Sequence, residues 1–120
     1  MAATVLVEHA RATRGRLIVI PHANNSAVSD VETDWRGPTS FAIKTASGVR
    51  TFRFGTRLTN RAHQGEPDPP KYRHPASTED LDGKEARNLD RAYPGRSGGN
   101  LTERIAYAIT GVIGREQVDV

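Results

Sequence analysis

A capped helix near the end of the chain limits the fold more than any other segment does. Asn100 can accept a hydrogen bond from a free backbone N–H of the first helical turn, and Glu103, three residues on, can reach back to the cap. Apolar residues then recur at helical spacing on one face, namely Leu101, Ile105, Ala108, Ile109, Val112 and Ile113. The pattern predicts an amphipathic helix that ends near Gly114, so any fold must offer a surface to its apolar face.

The loop before this helix concentrates polar side chains ahead of a Pro-Gly turn. These side chains are Asn88, Asp90, Arg91 and Tyr93. An arginine on a braced loop can offer its planar fork to a carboxylate in a bidentate pair. Alternatively, Arg91 pairs with Asp90 or Glu85 at the surface, where such ion pairs contribute little to stability. The residues alone leave both interpretations open.

Two segments of this region form a longer pattern: Asn88-Leu89-Asp90-Arg91-Ala92-Tyr93-Pro94-Gly95 and Leu101-Thr102-Glu103-Arg104-Ile105-Ala106. The pattern resembles the succinylglutamate desuccinylase/aspartoacylase family of zinc-dependent deacylases, which are relatives of the zinc carboxypeptidases. That family typically has Asp-Leu-Asn-Arg, an aromatic residue, Pro-Gly, a short spacer containing glycine, and a helix that begins close to Ser/Thr-x-x-Glu-Arg-Ile-Ala. The match extends over nearly every motif position, which makes it more specific than a lone glycine motif.

The resemblance implies an α/β fold, a partial zinc-carboxypeptidase-like domain whose central mixed sheet is flanked by helices. The first residues fit this architecture, because a helix predicted over residues 2–12 is followed by the apolar run at 17–20. Such a run is typical of a central strand that is covered on both faces. His22 and Asn24 follow it, and open α/β sheets place ligand crevices beyond the carboxyl ends of their strands. Both residues are therefore candidates for positions near the site, although for His22 a hydrogen bond within the loop is the preferred interpretation.

Residues 30–78 are interpreted as an insertion and loop region within a single partial catalytic domain, residues 1–120. Two strand-like runs, at 41–45 and 49–54, flank a Ser-Gly pair and predict a β-hairpin.

Four prolines between residues 65 and 78 argue against regular structure in that part of the region. Side chains that can bind metal also occur in or beside it, namely His63, Glu66, Asp68 and His74. Their spacing fits no standard metal site, so a solvated loop is the preferred interpretation.

The resemblance also implies where the zinc ligands lie. In the family, a His-x-x-Glu pair precedes the helix that leads into the strand matched here by 17–20, and a later histidine follows the strand matched by 118–120. We therefore expect an internal fragment that lacks the zinc ligands, binds no zinc by itself and is inactive alone. Its protein partner would be the missing remainder of the domain or a second copy of the chain.

In a complete enzyme, the resemblance implies hydrolysis of N-acyl amino acids or related amides by a zinc-activated water. Arg91 would hold a substrate carboxylate, with Asn88, Asp90 and Tyr93 as the other substrate-binding residues. Asp90 stands where the family usually has Asn. Because an ionised Asp repels a carboxylate, either Asp90 turns away to orient Arg91 or the substrate is not a simple dicarboxylate.

The charge of the chain leaves other classes of function open. It contains 17 Lys and Arg against 14 Asp and Glu, a formal charge of +3, which permits a small basic module that binds an anionic partner. Basic and acidic residues are interleaved, so nucleic acid is not the expected partner. A non-catalytic pseudoenzyme is a third possibility. The first 20 residues lack a long apolar segment, so we expect a soluble protein without a membrane partner. The sequence does not identify the compartment, and the cytoplasm is favoured.

Overall fold

The computed structural model of the protein describes residues 2–29 and 36–118. Within these ranges the chain forms α-helices, β-strands and two short 3-10 helices. The elements are α1 (Ala2–His9), α2 (Asn25–Ser29), β1 (Ser40–Thr45), β2 (Gly48–Arg53), α3 (Arg61–Gln64), β3 (Lys71–Arg73), β4 (Asp80–Asp82), the 3-10 helices Gly83–Arg87 and Leu89–Arg91, and α4 (Leu101–Glu116). None of the described helices is long and apolar enough to cross a bilayer.

Helix α4 confirms the cap predicted from the sequence. The Asn100 side chain accepts a hydrogen bond from the Glu103 backbone N–H at 2.9 Å, and the Glu103 carboxylate accepts one from the Asn100 backbone N–H at 3.2 Å. The predicted end at Gly114 is wrong. The helix continues to Glu116 and ends at Gln117, whose φ is 48°. A glycine inside a helix costs only about 1 kcal/mol, and good helix formers follow it here.

The described strands form two separate antiparallel sheets of two strands each, β1–β2 and β3–β4. The first is the predicted hairpin, in which Ser40 lies opposite Arg53 and Thr45 lies opposite Gly48. The protein is therefore a mixed α and β structure. The central mixed sheet expected from the resemblance is not formed by residues 2–29 and 36–118.

Residues 17–20, predicted as a buried strand, lie outside any helix or strand. The exposed fractions are 51% for Leu17, 41% for Ile18 and 42% for Ile20. A central strand needs neighbours that pair with its backbone N–H and C=O groups, and no described segment pairs with this one. The strand that the resemblance matches to residues 118–120 is not formed at Val118, and residues 119–120 lie outside the described part of the chain.

Two further boundaries differ from the predictions. Helix α1 ends at His9 rather than near residue 12. The proline-rich segment 65–78 contains strand β3, although no regular structure was expected there. Tyr72 of β3 pairs with Leu81 of β4 and is only 4% exposed. This pairing and burial connect residues that are distant in sequence, so the local proline content could not reveal them.

The core beneath α4 is small. Its buried apolar side chains are Leu89, Ala92 and Ala106, and Tyr93, Ile105 and Ile109 pack around them. The contacts place the segment that precedes α4 directly against the helix. The apolar face predicted for α4 therefore serves, in part, to hold this segment in place.

A polar relay, defined as the hydrogen-bonded side chains of Asn24, Thr59, Thr102 and Gln64, lies beside this apolar core. Asn24 Nδ2 donates to Thr59 Oγ1 at 2.9 Å, and the two threonine hydroxyls lie 2.6 Å apart. Thr102 then donates to Gln64 Oε1 at 3.1 Å, and Gln64 Nε2 donates to the Ala86 carbonyl at 3.4 Å. Because each hydroxyl has one proton, Thr59 must donate to Thr102, and the relay runs in one direction.

Candidate functional site

The predicted substrate-binding residues lie in or beside a tight turn, residues 88–93, which we call the arginine turn. Asn88 is 3% exposed, and its amide donates to Glu85 Oε2 at 2.6 Å. Its side-chain oxygen accepts from the backbone N–H of Asp90 at 3.2 Å. Both ends of the amide are therefore used inside the protein. Asn88 caps the second 3-10 helix and fixes the start of the turn, a positioning role rather than a direct contact with a ligand.

The arginine turn has one face in the core and one face in solvent. Leu89 and Ala92 are buried against α4, whereas Asp90 and Arg91 are exposed. Arg91 forms no ion pair with Asp90 or with Glu85, or with any other side chain in the described ranges. The surface pairing considered from the sequence is therefore not formed. The guanidinium of Arg91 projects unpaired from a backbone that is anchored on both sides.

Tyr93 closes the arginine turn and is only partly exposed. Burial, and secondarily the negative charge of Asp90, raise the pKa of the Tyr93 phenol above its ordinary value. Tyr93 is therefore a neutral phenol at physiological pH.

Gly95 fixes the path between the arginine turn and α4. Its φ is +82°, a conformation that L side chains rarely adopt. A Cβ atom at this position would lie 2.2 Å from the backbone nitrogen of Tyr107 and 2.3 Å from the carbonyl oxygen of Glu103. Only glycine allows the chain to approach the helix this closely. The position of the arginine turn relative to α4 therefore depends on this residue.

Glu103 is a buried carboxylate at the start of α4, with a relative exposure of 1%. Tyr72 donates its hydroxyl proton to Glu103 Oε1 at 3.1 Å, and Arg96 donates to the same oxygen. The Asn100 backbone N–H donates to the other oxygen, and a side chain at Gly99 would collide with the carboxylate. These donors neutralise the carboxylate without a metal.

Two pKa shifts follow from the position of Glu103. Burial, followed by the charge of Glu103 and the hydrogen bond to it, raises the pKa of Tyr72 well above its ordinary value. The hydrogen bond to Glu103 also raises the pKa of Arg96. Tyr72 therefore remains a protonated phenol that donates a hydrogen bond, and Arg96 remains a cation.

A concave surface that we call the basic cleft lies mainly between residues 63–73 and residues 96–107, with a volume of about 1090 Å³. Four cationic side chains line it: Lys71, Arg73, Arg96 and Arg104. Sequence reasoning missed this cleft, because its walls come from β3 and α4. The only local signal was the order Lys71-Tyr72-Arg73. In a strand, residues two apart lie on the same face, so this order would place the two cations side by side.

His22 and Asn24 are not joined to the arginine turn by any hydrogen bond within the described residues. His22 is exposed in the turn before α2. Asn24 is the first member of the polar relay and also accepts from the Ala27 N–H at 3.2 Å. Asn24 therefore connects the segment before α2 to α4.

The candidate metal ligands between residues 63 and 74 do not converge. Asp68 accepts hydrogen bonds from Arg87 at 2.7 and 3.2 Å and from Arg61 at 2.9 Å, and the bond from Arg87 lowers the pKa of Asp68. His74 Nδ1 accepts from two backbone N–H groups, and His63 Nδ1 lies 2.8 Å from Ser26 Oγ. In the described part of the chain, no three His, Asp or Glu side chains form a metal-binding group.

No family model, no curated protein and no solved structure matches the chain. The motif at residues 88–106 and the geometry of the arginine turn are therefore the basis for a functional proposal.

Proposed function

We propose that this chain is part of a zinc-dependent deacylase and that its arginine turn binds the carboxylate of an N-acyl amino acid or a related amide. The observation that carries the proposal is the state of Arg91. Its guanidinium is exposed and has no ion-pair partner among the described side chains, whereas Leu89 and Ala92 of the same turn are buried. An unpaired arginine fork on an anchored backbone is suited to a bidentate pair with a carboxylate.

The anchoring of the arginine turn supports a role in orientation as well as in binding. Asn88 holds the backbone before Arg91, and Ala92, which is 0% exposed, holds the backbone after it. Little conformational entropy of the backbone is then lost when a carboxylate binds. A substrate held in this way would have its scissile amide directed to one place, which is the main contribution of a positioning arginine to catalysis.

The negative charge of Asp90 favours a substrate that carries a single carboxylate. Asp90 is exposed and makes no side-chain bond to Arg91 in the described structure, so the explanation that it only orients the arginine receives no support. An ionised Asp90 would repel a second carboxylate close to the first. We therefore propose acyl derivatives of monocarboxylic amino acids in preference to those of aspartate or glutamate.

The zinc ion of this proposed enzyme would be held outside the described residues. His63, Asp68 and His74 are engaged elsewhere, and no three His, Asp or Glu side chains of the described residues form a metal-binding group. The exposed apolar side chains at 17–20 support a chain that is covered by further protein, because exposed apolar patches mark interaction surfaces. The contribution assigned to this chain is therefore to bind and orient the substrate.

The binding part of the proposal can be tested on the 120-residue chain by NMR titration with N-acetyl-L-alanine, using N-acetyl-L-alanine methylamide as the uncharged control. We expect amide shifts at residues 88–93 with the acid and none with the methylamide. Arg91→Lys should weaken binding, because lysine cannot form the bidentate pair. Arg53→Lys, a matched change of an exposed arginine on β2, should leave it unchanged. Equal binding by both variants would refute the role of Arg91.

The deacylase part of the proposal requires the neighbouring sequence. A version of the chain extended at both ends should bind zinc and hydrolyse N-acyl amino acids, and Arg91→Lys in that version should lower turnover. Stoichiometric zinc on the 120-residue chain alone would contradict the proposal that the zinc ligands lie outside it. Zinc binding by the extended protein without hydrolysis would instead support the pseudoenzyme alternative.

A further inference from the structure

The basic cleft is large enough to hold a ligand. Its volume of about 1090 Å³ is slightly above the range for small-molecule sites, roughly 300–1,000 Å³. One wall is the segment that leads into β3, and the other is the glycine-containing loop that leads into α4. Arg91 does not line this surface. Any ligand of the cleft would therefore bind separately from the carboxylate proposed for the arginine turn.

Two acidic residues of the cleft are already neutralised by protein cations. Asp68 is bound by Arg87, which is 5% exposed, and by Arg61. Glu103 is bound by Arg96 and by two neutral donors. Neither carboxylate is available to the remaining cations that line the cleft.

The remaining cations are largely without partners. Arg73 and Arg104 have no side-chain hydrogen bond or ion pair in residues 2–29 and 36–118. Lys71 lies 3.6 Å from Asp80, and the side chains are 73% and 51% exposed, so this pair contributes little. Glu66 is the one lining acid without a cationic partner among the described residues. The residues that line the cleft therefore carry excess positive charge, although Asp80 and Asp82 of β4 lie opposite Arg73 and Lys71 in the β3–β4 register.

The start of α4 is not the main anion-binding element, although helix N-termini often have that role, because the Glu103 carboxylate already lies there. Glu103 accepts from the Asn100 N–H, and the Asn100 side chain accepts from the Glu103 N–H. An anion in the cleft would instead meet Arg73 on one wall and Arg104 on the other, where Ser97 also lies. A Cβ atom at Gly98 would meet nothing within 4 Å, so the backbone of this loop is open to close approach.

We infer that the basic cleft is a second binding site, for a small molecule that carries a phosphate monoester. Two arginine forks and a lysine match a group with two negative charges and three terminal oxygens better than they match a carboxylate. Tyr107, 52% exposed at the cleft, offers a ring face to the organic part of the ester. The inference does not rest on the deacylase proposal, because the two sites share no residue.

The test is an NMR titration of the 120-residue chain with glycerol 3-phosphate, inorganic phosphate and sodium chloride at matched ionic strength. We expect both phosphates, but not chloride, to shift the amides of Arg73, Ser97, Gly98 and Arg104. Tighter binding of the ester than of inorganic phosphate would assign the site to a phosphorylated metabolite. Equal binding would assign it to the phosphate group alone. Absence of saturable shifts with either compound would overturn the inference.

Matched variants distinguish a specific phosphate site from nonspecific electrostatic binding of phosphate to a basic protein. Arg73→Gln and Arg104→Gln should each weaken phosphate binding at least fivefold. Arg53→Gln and Arg115→Gln remove the same charge from exposed positions outside the cleft and should change it less than twofold. Equal effects of all four variants would overturn the inference.

Gly98→Asp provides an independent variant if an arginine substitution prevents folding. The new side chain would enter open space and place a negative charge in the cleft, so binding should be lost while the circular dichroism spectrum is unchanged. Unaltered phosphate binding by folded Gly98→Asp would refute the site. Arg91→Lys should not affect phosphate binding, so failure at one site is distinguishable from failure at the other.

Discussion

Tyr72→Phe isolates the hydrogen bond between a buried tyrosine and the buried carboxylate of Glu103. The two side chains are 4% and 1% exposed, and the hydroxyl donates at 3.1 Å. A hydrogen bond to a charged group contributes about 1.5–3 kcal/mol. Because Glu103 keeps Arg96 and the Asn100 N–H, it is not left without donors. We therefore expect the lower end, a loss of about 1.5 kcal/mol, or roughly 6 °C in melting temperature for a chain of this length.

Glu103→Gln should cost more than Tyr72→Phe, although it preserves the shape of the side chain. Two donors face one oxygen of Glu103 and one donor faces the other. In either orientation of the amide, its NH₂ group meets a donor, Asn100 N–H in one case and Arg96 in the other. We expect a loss of about 3 kcal/mol from this clash together with the lost charge.

The assay is urea unfolding followed by circular dichroism at pH 7, as a double-mutant cycle of Tyr72→Phe and Glu103→Gln. The two changes should couple by about 1 kcal/mol, because the Tyr72 hydroxyl gains less from a neutral amide than from a carboxylate. Tyr107→Phe, at an exposed tyrosine without a side-chain hydrogen bond, should change stability by less than about 0.5 kcal/mol. Additive effects, or a neutral Tyr72→Phe, would refute the proposed contribution of Glu103.

Gly95→Ala should destabilise the protein by about 3 kcal/mol, because positive φ and the contact with the Tyr107 backbone both oppose a Cβ atom. Gly98→Ala, in open space, should cost far less in the same melting experiment. Asp68→Asn should make the free energy of unfolding depend less on pH in the acid range than it does in the wild type. The folded-state pKa of Asp68 is lowered by Arg87, so its contribution is present above pH 4 and is lost as the pH falls through the folded-state pKa. Urea midpoints measured between pH 7 and pH 2.5 should converge for wild type and variant at the acid end; parallel curves would contradict this.

The features predicted correctly are those determined by neighbours in sequence. Asn100 and Glu103 are three residues apart, so the capping box could be predicted without knowing what surrounds it. The β1–β2 hairpin is similarly local, since a two-residue turn joins its strands. The exposed position of Arg91 also fits a polar turn that precedes a Pro-Gly pair.

The features that were missed depend on distant partners. Residues 17–20 have the composition of a buried strand, but composition cannot supply the neighbouring strands that such a strand requires. The basic cleft forms only when β3 lies beside α4, two elements about 30 residues apart in sequence. Glu103 was predicted as a cap, but not as the partner of Tyr72.

The polar relay has a consequence for the order in which the chain folds. Its hydrogen bonds join residues separated by 35, 43, 38 and 22 positions, whereas the capping box joins residues three apart. Closing long loops costs entropy before any bond is gained, so the relay forms after the start of α4 is already helical. Substitutions in the relay should therefore accelerate unfolding and leave refolding rates nearly unchanged. Thr59 and Thr102 thus determine mainly how long the native state persists once it has formed.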